Sequence, residues 1–457
     1  MEYNLGLQNV ASKSTQLKLE RVQNNALRFI SGGLRSTPTA ACEIHTNVEP
    51  LGLRRKAAAL EMHERYKRFE IQHPNRQLVD NWKPNKRIKK KSILQVAEEE
   101  NQTHQLPQRR EEIMAASKIP PNLQLKSPII TTQLISPTPN KSEDPDQLKQ
   151  IAENTIETYS NWIHIYTDGS AMKGTINAGY GFRIEYPDGS LDELFNPCGA
   201  HCSNHEAEII AIEASLHHLS SVFTLFPQKI QNTVVLSDSK TTLETLSSNI
   251  LTSSSICSLA TEINDFMTEN GIQLYLQWIP SHIDIPGNEK ADLLAKKGAN
   301  LPQPTIPSSL KTAKQMIKDN LKHDWINQWA LGSTGRCMFP YMPTPSRKDY
   351  INLLNRKQQS IIFQLRTQHT ILNEHLSKIK SNINPTCPLC NRADETTRHH
   401  LFICPKLTDI RKQLLPPNPT IENTLYSNKQ QLINTTRFFT MAMDRRARAQ
   451  VVAGSAK

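Results

Sequence analysis

Between residues 12 and 70 the apolar positions recur with helical spacing. Leu19, Val22, Ala26, Phe29 and Ile30 stand among Lys and Arg at mostly three- and four-residue intervals, and Gly32-Gly33 follows as a stop. A second helix is expected from Leu53 to Phe69. Two helices alone bury little apolar surface, so the segment reads as the end of something larger. The pattern is then lost. From residue 71 the basic run KPNKRIKKKS gives way to Glu98–Glu100 and to a Pro-, Ser- and Thr-rich stretch containing SPTPNKSEDPDQ. Such a composition cannot offset its ordering entropy, which predicts a disordered linker over 71–160.

From Trp162 to Ala299 strand and helix patterns alternate. WIHIYTDGS reads as a strand entering a turn, and AGYGFRIEY with SLDELFNPC as a hairpin closed by PDGS. A helix follows over about Asn204 to Ser221. TVVLSDS is apolar on both faces, a trait of a buried parallel strand. Two short helices lead to the strand IQLYLQWI, and a last helix runs through NEKADLLAKKGA. This order predicts an α/β fold, a mixed five-stranded sheet with flanking helices, over 161–300. Beyond the hinge LPQPTIPSS, residues 310–331 and 350–380 carry amphipathic helical spacing, and from Pro416 a polar tail is expected.

Bulk properties narrow the class. A chain of 457 residues exceeds what one core supports, so several domains are expected. Hydrophobic content of 37% and a mean hydropathy of −0.52 agree with substantial linker. The net charge of +11 points to a polyanionic partner, nucleic acid first. No membrane span or signal peptide is legible, and eight sparse cysteines fit a reducing compartment, so nucleus or cytoplasm is expected.

The informative chemistry is acidic. Asp168 in TDGS, Glu208 in SNHEAEIIAI, Asp238 in LSDSK, and His282 with Asp292 in WIPSHIDIPGNEKAD occur in compact settings. Asp168 and Asp238 each end a predicted strand, so parallel neighbours would bring both carboxylates to one sheet edge. Carboxylates converging without Lys or Arg between them repel unless cations neutralise them. Hard divalent ions fit, and a pair about 4 Å apart serves in-line displacement at phosphorus. Glu206 and Glu213 read as solvated helix charges, with Glu206 the alternative to Glu208.

These motifs, in this order, resemble the ribonuclease H type 1 fold over about Trp162 to Ala299. The resemblance implies that Asp168, Glu208, Asp238 and Asp292 hold two Mg²⁺ or Mn²⁺ ions, and that the RNA strand of an RNA–DNA hybrid is cut. It further implies that His282 assists proton transfer or product departure from a mobile loop, and that Ser170 and Asn204 contact the hybrid's backbone or 2′-hydroxyls.

A second constellation, Cys387-x2-Cys390-x8-His399-x4-Cys404, supplies three thiolates and an imidazole suited to structural tetrahedral Zn²⁺. His400 is the alternative imidazole. Cys198, His201, Cys202 and His205 form a weaker cluster. The zinc-knuckle segment, preceded by LRTQHTILNEHL, resembles the C-terminal end of non-LTR retrotransposon polyproteins of the jockey and I type. KLERVQNNALRFISGGLRSTPTAA and EPLGLRRKAAALEMHERY are similar to the region after the polymerase thumb of the same elements. The expected organisation is thus a post-thumb remnant (1–70), a linker (71–160), a ribonuclease H domain (161–300), a helical region with the zinc knuckle (301–415) and a tail (416–457). No Tyr/Phe-x-Asp-Asp polymerase turn occurs, so the chain reads as a truncated open reading frame without reverse transcriptase chemistry. The competing reading is a catalytically silent nucleic-acid-binding remnant. In it, the basic segments, including Lys86, Arg87, Lys89, Lys90 and Lys91, and the zinc knuckle do the binding.

Overall fold

The structure is a computed structural model that describes residues 4–83, 91–104, 106–113, 128–137, 144–172, 174–227, 231–247, 254–346 and 348–454. The chain divides into two compact units. One is Leu60–Asn85 with Glu98–Ile317; the other is Met1–Ala59 with Lys86–Ala97 and Lys318–Lys457. Among the described residues no helix is long and apolar enough to cross a membrane.

The first unit is built on a mixed sheet of six strands, ordered β1-β6-β5-β2-β3-β4. The strands are β1 (Ile129–Thr131), β2 (Ile163–Met172), β3 (Ile176–Glu185), β4 (Leu191–Gly199), β5 (Thr233–Ser237) and β6 (Leu274–Trp278). Strands β2, β3 and β4 form an antiparallel meander, while β2, β5, β6 and β1 run parallel. As the apolar run TVVLS predicts, every residue of β5 is buried. Gly189 takes the positive φ of 82° that the hairpin turn needs.

Each sheet face buries its own core. Helices Asn204–Leu225 and Ser254–Asn270 cover one face, where Ile209, Ile212, Leu216, Leu259, Ile263 and Phe266 meet Ile163, Ile165 and Val235. The other face packs Val234, Leu236 and Tyr166 against Ile283, Ile285 and Ala291 near helix Pro286–Ala299. That helix lies directly on β3, where a Cβ at Gly181 would sit 2.4 Å from Ala295 N. A side chain there would lift the helix off the sheet.

Two expectations are corrected here. The sheet has six strands rather than five, and the sixth comes from the stretch expected to be a disordered linker. Within 71–160 the chain forms β1 and the helices Pro74–Asp80, Ile93–His104 and Pro145–Glu157. The physical reason is that Leu134, Leu148 and Ala152 suffice to seal the second sheet face beside Val234 and Ile279. A strand of three residues with a polar approach leaves no alternation to read. Of the basic run, Lys86, Arg87, Lys89 and Lys90 lie outside the described residues, and Lys91 is exposed.

The second unit is helical. Helix Lys13–Ser31 is capped by the Ser12 side chain and ends on Gly32 at φ 74°, where the sequence places its stop. Helix Thr39–Thr46 follows, and the next runs over Leu51–Tyr66. Helix Arg356–Thr367 packs on this N-terminal piece: Gln364 donates to Gly32 O at 2.8 Å, and His45 stacks on Phe363 with ring centroids 4.4 Å apart. The segment from Pro416 is not a solvated tail. Its helix Lys429–Gly454 buries Leu432, Phe438, Phe439 and Ala442. Those positions share one helical face, which the surrounding Gln, Asn, Thr and Arg residues disguise in a composition average.

Candidate active site

Sheet register assembles the site. The β2–β5 pairing aligns Thr167 with Ser237, so the next residues, Asp168 and Asp238, lie side by side. Asp238 follows the carboxyl end of β5, whereas Asp168 sits inside β2, which runs on to Met172 in pairing with β3 instead of ending at the acid as expected. Trp278 fixes the second of them by donating its indole N–H to Asp238 O at 3.2 Å. Helix Asn204–Leu225 opens with a capping box between Ser203 and Glu206. Its first turn presses against Gly169, where a Cβ would stand 2.3 Å from Glu208 N. Glycine after Asp168 is therefore what lets Glu208 approach.

Asp168, Glu208 and Asp238 each offer a carboxylate oxygen, all within 4.8 Å of one another. Asp168 and Glu208 are buried, at 7% and 9% exposure. Burial and the neighbouring acids push Asp168 up to about 8, and Glu208 well above the usual carboxylate range. Burial also raises Asp238, against the hydrogen bond from Asn288 and the charge of His282. Glu208 accepts a hydrogen bond from the Gly169 N–H, yet its Oε2 has no partner.

Asp292, on helix Pro286–Ala299, lines the same cleft as Asp168, Glu208 and Asp238. With His282 and Glu289 it forms an adjoining group, also within 4.8 Å, and Lys296 pairs with it at 2.6 Å. A lysine thus does stand among the acids, drawn in by their charge from one turn further along the helix. Asp292 still raises Asp168 and Asp238 electrostatically. His282 is exposed, on a loop held at a positive φ of 52°. Ser170 and Asn204 line the same open cleft of about 400 Å³. Sequence reasoning missed Glu289, Asn288 and Lys296; their spacing from Asp292 on a helix was the signal available. Glu206 is no rival to Glu208, since its carboxylate caps the helix.

The donor set fits a hard divalent cation. Three acids, two of them buried, converge at the floor of the open cleft, and one buried oxygen is left without a donor.

A second donor set lies in the helical unit. Cys387, Cys390, His399 and Cys404 bring one donor atom each within 4.8 Å of the others. The Cys387 and Cys404 sulfurs are 4.0 Å apart, and Cys390 Sγ lies 3.4 Å from His399 Nε2. Burial raises the Cys387 thiol and pushes Cys404 up to about 12, while at the more exposed Cys390 burial is outweighed by hydrogen bonds that hold the thiol below its usual range. Burial holds His399 below its usual range, in the neutral form a metal requires. His400 instead is fully buried against Phe438 and Phe439, where burial drives it to about 3. Cys198 and Cys202 pack with Ala178 and Ala207 as small apolar residues, and they join no metal-ligating group among the described residues.

Residues 160–300 match the RNase H family model. Ribonuclease H of Saccharomyces cerevisiae is 29% identical over 175 residues, covering 33% of this chain and 49% of the yeast protein. The chain thus spans about half the length of the curated relative it matches. Among solved structures, RNase H1 of the halophilic archaeon Halobacterium salinarum is similar at 20% identity over 30% of this chain and 96% of that one, with a TM-score of 0.25. The N-terminal RNase H domain of a Mycobacterium tuberculosis protein is similar at 22% identity over 31% and 95%, also with a TM-score of 0.25. Residues 160–300 are an RNase H domain, and the mixed sheet with flanking helices fits the RNase H-like α/β fold.

Proposed function

We propose that the RNase H domain hydrolyses the RNA strand of RNA–DNA hybrids. The observation that carries this reading is the triad of buried Asp168, buried Glu208 and half-buried Asp238 at the sheet edge, with the Glu208 oxygen unpaired. Those three residues together with Asp292 would hold two Mg²⁺ or Mn²⁺ ions. When bound, the ions supply the Lewis acidity and charge neutralisation that phosphodiester hydrolysis draws on. The chain's own residues do the rest. Gly169 and Asn288 orient the Glu208 and Asp238 carboxylates through hydrogen bonds. Ser170 and Asn204 at the cleft would meet the hybrid's backbone or 2′-hydroxyls. His282, exposed beside Asp292, would carry a proton at its imidazole nitrogen to or from the cleaved strand.

In the helical unit Cys387, Cys390, His399 and Cys404 would hold one structural Zn²⁺, leaving no position for water. The resemblances of the N-terminal and C-terminal segments to retrotransposon polyproteins support reading this nuclease as part of such an element, where it would act in the nucleus or cytoplasm on template RNA. Purified protein incubated with labelled hybrid and Mg²⁺ tests the activity, with Asp238→Asn as control. Cleavage that the substitution removes is the expected result. Hybrid binding without cleavage by the unmodified protein would overturn it in favour of a silent nucleic-acid-binding remnant.

A further inference from the structure

The segment that follows the matched domain is tied to the helix that carries Glu208. Thr312, fully buried on helix Leu310–Leu331, donates its hydroxyl to Glu206 Oε2 at 2.7 Å. The same oxygen accepts from Ser203 N and from Ser203 Oγ, each at 2.8 Å. One carboxylate oxygen therefore joins the capping box to an element outside residues 160–300. Thr312 is itself fixed from the N-terminal side, where its N–H donates to Ser309 Oγ at 3.1 Å. Its neighbour Ser308 sits in a buried lock, with Ser308 O accepting from Glu111 N at 3.0 Å and from the Arg68 guanidinium. Arg68 is paired in turn with fully buried Glu64, which Arg110 holds at 2.7 Å. Every member of this chain lies within one compact unit.

Resting on the reading above, we propose that Thr312 is a positioning residue for the active site, acting through Glu206 on the first turn of helix Asn204–Leu225. That turn carries Asn204 and leads directly into Glu208, the fifth residue of the helix. A helix start held only by its own capping box can fray and rotate. An anchored one keeps the Glu208 carboxylate at the distance from Asp168 and Asp238 that the cation needs. Displacements of about 1 Å in such sites cost about 100-fold in rate. The Arg68–Ser308 lock supplies the rigid side of the anchor. The working nuclease therefore extends beyond the matched domain on both sides, to Glu64 and Thr312.

Full-length Thr312→Val, which keeps the shape and removes the hydroxyl, tests this against Thr312→Ser, which restores it. Mg²⁺ binding is read by calorimetric titration and by the Mg²⁺-induced rise in melting temperature, and hybrid cleavage in parallel. We expect Thr312→Val to weaken Mg²⁺ binding by about 10-fold, the lower range for groups that orient metal ligands. The deficit should be recoverable in kcat at high Mg²⁺ and absent in Thr312→Ser. Mg²⁺ affinity in Thr312→Val equal to the unmodified protein, or a Thr312→Ser as impaired as the valine variant, would overturn the proposal. If the valine variant fails to fold, Thr312→Ala removes the same hydroxyl and leaves the capping box intact, and Mg²⁺ affinity equal to the unmodified protein there would likewise overturn the proposal. An unmodified protein that binds Mg²⁺ but cleaves no hybrid would sink the nuclease reading while leaving the metal titration a valid test of Thr312.

Discussion

The two candidate metal-ligating clusters of this chain are made in opposite ways. The acidic one draws Asp168, Glu208 and Asp238 from residues 70 apart in sequence, and only the sheet register and a glycine contact bring them together. The cysteine one lies within residues 387–404, a stretch with isolated bridges and single turns but no long helix or strand. In the first, a large core forces like charges together, as the raised Asp168 and Glu208 record. In the second, a short segment has little apolar surface to hold it. A cation would relieve repulsion in the acidic site, whereas it would supply folding energy in the cysteine site. Removing metal should accordingly cost function in one and structure in the other.

The largest expected effect is on the acidic side. Glu208→Gln should lower hybrid cleavage by more than about 100-fold, since even residues that only orient metal ligands cost about 10- to 100-fold. Gel analysis of a labelled hybrid measures it, and a variant cutting within a few-fold of the unmodified protein would break the assignment. On the cysteine side, Cys390→Ser should abolish a stoichiometry of about one zinc per chain and expose 387–404 to limited proteolysis. Zinc retained at full stoichiometry would refute that ligand set. A smaller effect is expected at the cleft mouth. His282→Ala should lower kcat by roughly 100-fold, as for loss of a general acid or base, while leaving Mg²⁺ affinity intact. An equal loss of Mg²⁺ binding would instead make His282 part of the metal set.

The smallest effect is electrostatic and sharpens the contrast itself. Asp168 carries a raised value of about 8 in the folded protein. Its contribution to metal-free stability is thus present below about pH 4 and is lost as pH rises through about 8. The metal-free protein should melt lower at pH 8 than at pH 5, and Mg²⁺ should raise the melting temperature more at pH 8. A pH-independent Mg²⁺ effect would contradict the raised value.

Motif order made most of the acidic site legible, because DGS, the AE helix start, SDSK and the PGNEKAD helix each carry local turn or cap chemistry as well as an acid. The register that brings Asp168 beside Asp238 follows from reading both runs as parallel strands. Asp292 was legible as a residue, and its i, i+4 spacing to Lys296 on the expected helix was the signal for their pairing. Glu206 looked like a solvated charge although its Ser203-x-x-Glu206 capping box is local and legible; only its Thr312 contact is a tertiary fact. Strand β1 and helix Lys429–Gly454 were invisible for a related reason. Each buries a few residues within polar surroundings, and burial of that kind is decided by what packs on top rather than by local composition.

The central claim is that Asp168, Glu208 and Asp238 are held together against their own repulsion for the sake of a cation. Thermal unfolding of the full-length protein and of Asp168→Asn at pH 8, each with and without Mg²⁺, tests it most directly. The account predicts that Asp168→Asn melts higher than the unmodified protein when metal is absent, and that Mg²⁺ stabilises only the unmodified protein. A variant that melts lower without metal, or an unmodified protein indifferent to Mg²⁺, would contradict it.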